Sequence, residues 1–427
     1  MGVEIKKLPK SRTEIKIKLS GEEFSPYLNI GAREISKTLN VPGFRLGKAP
    51  FKIVEEKVGW GRILDEAAKI ALDQTFYQII KEKKLEVLEK PEAKVQKLSK
   101  EGLEATVEVS FLPVVQLPLW WKIVKAEPKN KIEVKENEVE ESLKYLQKSR
   151  AKFIRKSKAA QKGDLIQIDY EIRRGGVKIE NGDIKNQKFI LGEGKFLPGF
   201  EENLVGAKDN EEKEFSLNVP ADFWKRDLRQ TILDFKVGIK GVFKVELPQT
   251  NDEWVRTLGK FDNLSHLKNS LREGIKIEKE EAERKRWENK VLEKISQEAK
   301  IDLPDVLVEK ERDQMIKNFK TRVEEMGISF EDYLSQLKKP LKDLEKDFLP
   351  EAEKRVRILL SLYQIAKEEK INVNEEEVKE EISEILKKYP TITRDLEDKE
   401  KEVNLKAYLR ENILQRKVIR LLVLKAR

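Results

Sequence analysis

Beyond Pro248, apolar residues recur every three or four positions to the end of the chain, a spacing that calls for helices throughout. Ile316, Phe319, Val323 and Met326 make one stripe, and Val356, Leu359, Leu360 and Tyr363 a second. Val378, Ile382, Ile385 and Leu386 make a third, and Leu405, Leu409, Ile413, Ile419 and Leu422 the last. Asn374, with Glu377 three residues on, has the pattern of a capping box with Asn in place of Ser or Thr. Lys276 to Lys290 is nearly all charged and reads as a solvated helix face. No solenoid-period repeat is evident, and heptads are not sustained enough for a coiled coil.

Composition sets the limits on such a body. The chain has 427 residues, 39% hydrophobic and 39% charged, enough for two or three domains with much surface for their mass. Elongated amphipathic helices fit that balance. A net charge of +9 favours an anionic partner such as RNA, although acidic residues are interleaved with the basic ones and leave general nucleic-acid binding unforced. There is no cysteine, which excludes disulfides, thiolate catalysis and cysteine-based metal sites. The only histidine, His266, is expected at the surface or in a cap, and no metal or other cofactor is expected. Met1 to Lys10 carry charges without an apolar stretch, and no apolar run reaches membrane-span length, so a cytoplasmic chain with no membrane partner is expected.

Before Pro248 the texture differs. Thr13, Ile15, Ile17 and Leu19 alternate with charged residues as in a strand, and a helix is expected from about Ser25 to Leu39. A second helix starts near Pro50 and runs toward Ile80, with Gly59 and Gly61 as places where it breaks or bends. Val95 to Leu98 and Ala105 to Phe111 flank a Lys100-Glu101-Gly102 turn and read as a hairpin. Pro113, Pro118 and Pro128 then mark a linker with an exposed-looking pair, Trp120-Trp121, before a helix from Glu136 to Phe153. From Gly163 the pattern turns to strands, with turns at Arg174-Gly-Gly and Asn181-Gly-Asp, over the length of one small domain.

Two motifs carry chemistry. Gly43-Phe44-Arg45-Leu46-Gly47-Lys48-Ala49-Pro50 sets an aromatic and two cations between glycines, ahead of a proline suited to the first turn of a helix. As residue types alone, a docking tip and an ordinary solvated loop are both open. A nucleotide-binding P-loop is not, because three residues rather than four precede the Gly-Lys pair and Ala49 follows Lys48. The second motif, Gly192 to Gly206, ends a strand in glycines and adds a short helix bearing Phe196, Leu197 and Phe200. Its spacing does not fit the dinucleotide fingerprint.

The first motif matches G-F-R-x-G-K-x-P, and on it the chain resembles the trigger factors, bacterial chaperones of the polypeptide exit tunnel. The second is similar to the FKBP-type prolyl isomerase segment, L-G-x-G-x-x-I-P-G-F-E-x-x-L-x-G. Ile301-Asp-Leu-Pro304 and Arg355 to Ala366 resemble the same family's helical part, so the resemblance runs nearly full length with the parts in order. It implies an α+β, three-part elongated architecture. A ribosome-binding α+β domain would span 1–112, a linker and part of the helical body 113–161, an FKBP-type insert 162–247, and a helical cradle with arms 248–427.

The resemblance also implies an ATP-independent chaperone that shields nascent polypeptides. Gly43, Phe44, Arg45, Leu46, Gly47, Lys48 and Pro50 would bind the exit-tunnel protein and RNA of the ribosome, and a homodimer would form off it. Tyr170, Phe196, Leu197, Phe200, Phe223 and Phe235 would wall an isomerase pocket, with Glu180 as its acidic residue. Two positions depart from the FKBP pattern: Ile179 precedes Glu180, and Gln187 stands where a pocket phenylalanine is usual, with Phe189 nearby. The aromatics also read as the core of a small β domain, a reading that stands second to the pocket. A free prolyl isomerase with helical arms and a basic RNA-binding protein are the competing readings.

Overall fold

Alternation along the second strand buries Thr13, Ile15, Ile17 and Leu19 on one face, and that face organises the first part of the molecule. The computed structural model describes residues 2–83, 85–194, 196–223, 225–388 and 399–426. Strands β1 (Gly2–Lys7) and β2 (Arg12–Ser20) are followed by helices α1 (Gly21–Thr38) and α2 (Phe51–Lys83), then by strands β3 (Glu92–Ser99) and β4 (Gly102–Ser110). The strands form an antiparallel sheet in the order β1-β2-β4-β3, with Ile15 opposite Val107 and Ile17 opposite Ala105. Both helices lay their apolar stripes on this sheet. They approach so closely that a Cβ on Gly31 would stand 2.9 Å from the Ala67 backbone nitrogen.

Helix α1 begins earlier than the sequence reading places it. Ser20 Oγ accepts from the Glu23 N–H while the Glu23 carboxylate accepts from the Ser20 N–H, a full capping box ahead of Pro26. Helix α2 is broken at Gly59, whose φ of 77° lies in the left-handed region, whereas Gly61 remains helical.

Two compact units make up the chain, one of Met1–Lys129 with Arg284–Arg427 and one of Asn130–Glu283. The first continues through β5 (Val115–Gln116) and α3 (Trp120–Ala126). The tryptophan pair is not uniformly exposed. Trp120 is buried against Trp287 and Val291, while Trp121 keeps 43% of its surface in solvent.

In the second unit, α4 (Glu136–Ser149) stops short of Phe153, because residues 152–155 form strand β6 (Lys152–Arg155). Pairing of β6 with the last strand of the sheet overrides the apolar periodicity that favoured a longer helix. Strands β7 (Leu165–Arg174) and β8 (Val177–Ile190), helix α5 (Phe200–Leu204), and strands β9 (Glu212–Asn218) and β10 (Ile232–Glu246) follow. The sheet order is β6-β10-β7-β8, with β9 on β10, and all pairs are antiparallel. Arg174-Gly-Gly is the β7–β8 turn, but Asn181-Gly-Asp lies inside β8 as an irregularity rather than between strands. Helix α6 (Asp252–Leu258) and the start of α7 (Leu264–Glu298) pack on Leu143 of α4 through Trp254, Val255 and Leu267. His266 sits at the start of α7, half exposed, accepting from the Asp262 N–H.

The first unit resumes in α7, where buried Trp287, Val291 and Ile295 interrupt the charged surface. Strand β11 (Lys300–Ile301) pairs with β5, and helices α8 (Asp305–Glu325), α9 (Phe330–Leu337), α10 (Leu341–Glu368), α11 (Glu375–Lys388) and α12 (Lys399–Lys425) complete it. The expected stripes bury Val323, Val356, Leu360, Val378, Leu409, Ile413 and Leu422. Met326 and Tyr363 stay largely exposed, Met326 because its helix ends at Glu325. Asn374 and Glu377 form the expected reciprocal cap. Among the described residues, no helix is long and apolar enough to cross a membrane.

Candidate functional site

The octapeptide is the connection between α1 and α2, held at its base and open at its tip. The Gly47 N–H donates to the Ser36 carbonyl at 2.8 Å, and the Lys48 N–H to that of Arg45 at 2.9 Å. Gly43 and Gly47 have φ values of 85° and 80°, conformations that other residues adopt at a cost. Pro50 accepts the first hydrogen bonds of α2, from Ile53 and Val54, and so serves as the helix start that its residue type suggests. Between these anchors Phe44 and Leu46 are 42% and 61% exposed. Arg45 and Lys48 are also exposed and form no ion pair among the described residues. The loop thus offers two apolar side chains and two unneutralised cations on a fixed frame, which suits an anionic, partly apolar partner.

The second site is a cavity of about 760 Å³ in the β-rich unit. Tyr170 comes from β7 and Phe235 from β10, adjacent antiparallel strands in which Tyr170 stands opposite Val237. Phe196 and Leu197 come from the segment before α5, Phe200 from its first position, and Phe223 from the connection after β9. These six expected residues all line this one cavity. The Glu180 side chain lies outside the described residues.

Ring packing sets the shape of the walls. Phe196 and Phe200 stack with centroids 4.6 Å apart, and Tyr170 meets Phe200 edge-on at 5.7 Å. Phe235 also meets Phe200 edge-on, at 5.2 Å. Phe200 is 1% exposed, so it is core as well as wall. Burial pushes the Tyr170 hydroxyl above its ordinary pKa and keeps it a neutral O–H.

A buried carboxylate fixes the glycine-rich turn. Glu201 accepts from the backbone N–H of Gly192 at 2.6 Å and of Gly194 at 3.3 Å. Gly199, at φ 90°, sits so tightly that a Cβ there would come within 2.9 Å of Leu217.

Several lining residues were not assigned to the pocket at the level of sequence: Ile172, Leu233, Leu228, Pro198 and Pro220, with Asp222 and Lys225 as the charged members, and Ile179, the departure from the FKBP pattern, lines it too. Period-two alternation carried the signal for two of them, since Ile172 shares a face with Tyr170 and Leu233 with Phe235. Gln187 is not part of the lining. Phe189 instead supports it from beneath, 3% exposed and 4.4 Å from Phe196.

Rotation of an X–Pro bond needs no nucleophile. The barrier of roughly 18–20 kcal/mol comes from amide resonance, which a dry pocket opposes by favouring the twisted, less polar amide. Uncatalysed exchange takes tens to hundreds of seconds, roughly, so a modest reduction of the barrier matters.

Known protein families match this chain in three consecutive parts. Residues 1–146 match the family model described as bacterial trigger factor protein, and residues 263–424 match the model of that protein's C-terminus. Residues 156–247 match the FKBP-type peptidyl-prolyl cis-trans isomerase model. The trigger factor of Caldicellulosiruptor saccharolyticus is 31% identical over 98% of this chain and 95% of its own. That of Clostridium botulinum (strain Loch Maree / Type A3) is 31% identical over 99% and 98%. That of Carboxydothermus hydrogenoformans is 33% identical over 91% of each. A solved structure, described under "Promiscuous Substrate Recognition in Folding and Assembly Activities of the Trigger Factor Chaperone", shares the fold with a TM-score of 0.56. It is 22% identical and covers 100% of both chains. Matches on both flanks of the isomerase domain disfavour a free prolyl isomerase. The chain belongs to the trigger factor family, chaperones with an N-terminal ribosome-binding domain and an FKBP-type peptidyl-prolyl isomerase domain.

Proposed function

We propose that this chaperone docks at the ribosomal exit tunnel through the α1–α2 tip and isomerises X–Pro bonds of emerging chains in the aromatic cavity. The observation that carries the reading is the tip itself, where exposed Phe44 and Leu46 stand beside Arg45 and Lys48, cations without a carboxylate partner among the described residues. Phe44 is the apolar anchor, while Arg45 and Lys48 face the exit-tunnel protein and ribosomal RNA. Gly43, Gly47 and Pro50 hold the conformation. Tyr170, Phe196, Leu197, Phe200, Phe223 and Phe235 wall the proline pocket, and Glu180 is assigned to its rim by resemblance to the family pattern. The chain works in the cytoplasm, on nascent unfolded polypeptides, and pairs into a homodimer when off the ribosome. The boundaries 1–112, 113–161, 162–247 and 248–427 are its working divisions.

A competition experiment tests the docking. Labelled protein is titrated with purified ribosomes, and naked ribosomal RNA is then added as competitor. Saturable binding that an equal mass of naked RNA fails to displace is expected. Full displacement would point instead to a general RNA-binding protein. Raising salt should weaken the ribosome complex, because its phosphate contacts release counterions.

A further inference from the structure

We propose that Lys225 gives the isomerase a preference for an acidic residue directly before the proline. The inference deepens the prolyl-isomerase reading of the same cavity and rests on it. Lys225 is half-buried in the connection after β9, on the lining formed by Phe223, Leu228 and Phe235. It makes no ion pair or side-chain hydrogen bond among the described residues.

The neighbouring charges do not neutralise it. The Arg229 Nε donates to the Phe223 carbonyl at 2.5 Å, so that guanidinium is engaged with the loop backbone. The Glu201 carboxylate is engaged by the N–H groups of Gly192 and Gly194. Asp222 stands on the same lining but is exposed, where water screens it. Among the described residues of the lining, Lys225 is therefore the one cation, set on an apolar wall.

Such a cation acts more strongly on a passing carboxylate than a fully solvated one does, because the wall excludes high-dielectric water. Once the proline ring occupies the cavity, the nearest client side chain is that of the preceding residue, which carries the carbonyl of the bond being turned. A Glu there can reach the ammonium, whereas a Lys meets like charge.

The test is a kcat/KM comparison on tetrapeptides Ala-Xaa-Pro-Phe with Xaa as Glu, Leu or Lys, using the full-length protein and its Lys225 variants. The wild-type chain should favour Glu over Lys by about three- to fivefold, the size a partly screened ion pair gives. Lys225→Ala should bring that ratio near one, Lys225→Glu should invert it, and Lys225→Arg should keep it. Asp222→Asn should raise it, and high salt should compress it. The Leu peptide should change little in every variant, which a merely structural role for Lys225 would not produce. A Glu-to-Lys ratio left unmoved by Lys225→Glu would overturn the proposal, as would an equal loss on the Glu and Leu peptides. Absence of turnover for all three peptides in the wild-type chain would overturn the isomerase reading along with it.

Discussion

Single residues here divide between those that build the pocket and those that use it. Phe200 is both, since it is 1% exposed and packs against Tyr170, Phe196 and Phe235. Phe200→Ala should therefore cost about 3–5 kcal/mol and destabilise the β-rich unit as well as alter catalysis. Thermal denaturation followed by near-UV circular dichroism checks this, and an unchanged transition would show that Phe200 is not core. Phe223, a half-buried member of the lining, is the better probe of turnover. Glu201→Gln should cost about 1–3 kcal/mol, since it weakens the bonds that fix the glycine turn.

Titration gives another residue-scale test. Glu127 is 5% exposed, and Lys294, then Lys290, hold its carboxyl below the ordinary value of 4.5. A depressed folded pKa gives stability that is present above the unfolded value and lost as pH falls through the folded one. Acid unfolding monitored by tryptophan fluorescence should show a component below about pH 4.5 that Glu127→Gln removes. A wild-type and Glu127→Gln pair with the same acid midpoint would contradict the assignment.

At the scale of elements, much was legible where one pattern dominated. Alternation marked β2, β7 and β10, and three- and four-residue spacing marked the later helices, because each buries one face only. The reading failed where a tertiary contact outweighed a local signal. Phe153 and Ile154 read as a continuation of α4, yet the backbone there pairs with β10, and the two side chains remain about half exposed. Trp120 and Trp121 look alike in sequence, and only their phase on α3 buries one against Trp287. The cavity was half legible: a motif held Phe196 and Phe200, the family resemblance of its flanks added Tyr170, Phe223 and Phe235, and Ile172 and Leu233 needed the strand register.

One element-level junction has a sharp consequence. The turn between β1 and β2 sets Lys10 and Ser11 at φ 65° and 51°, and Asp302 accepts from both of their N–H groups at 2.9 and 2.6 Å. Asp302→Ala should cost about 1–2 kcal/mol and speed hydrogen exchange at those two amides. Exchange rates unaffected by the substitution would show that the turn holds itself.

For the whole molecule, the division into two units predicts separable behaviour. A change confined to the pocket core, such as Phe200→Ala, should lower one calorimetric transition and leave ribosome affinity intact. A single transition shifting as a whole would mean that the units unfold together.

The central claim is that the octapeptide is the ribosome anchor, and an equilibrium titration tests it most directly. The dissociation constant for purified ribosomes is measured for the wild-type chain and for the combined variant Phe44→Ala, Arg45→Ala, Lys48→Ala. All three side chains are exposed, so the variant should keep its fold and its prolyl-isomerase rate. It should bind ribosomes roughly a hundredfold more weakly, as expected when an apolar anchor and two charge contacts are lost together. A folded variant that binds ribosomes as tightly as the wild type would place the anchor elsewhere on the chain.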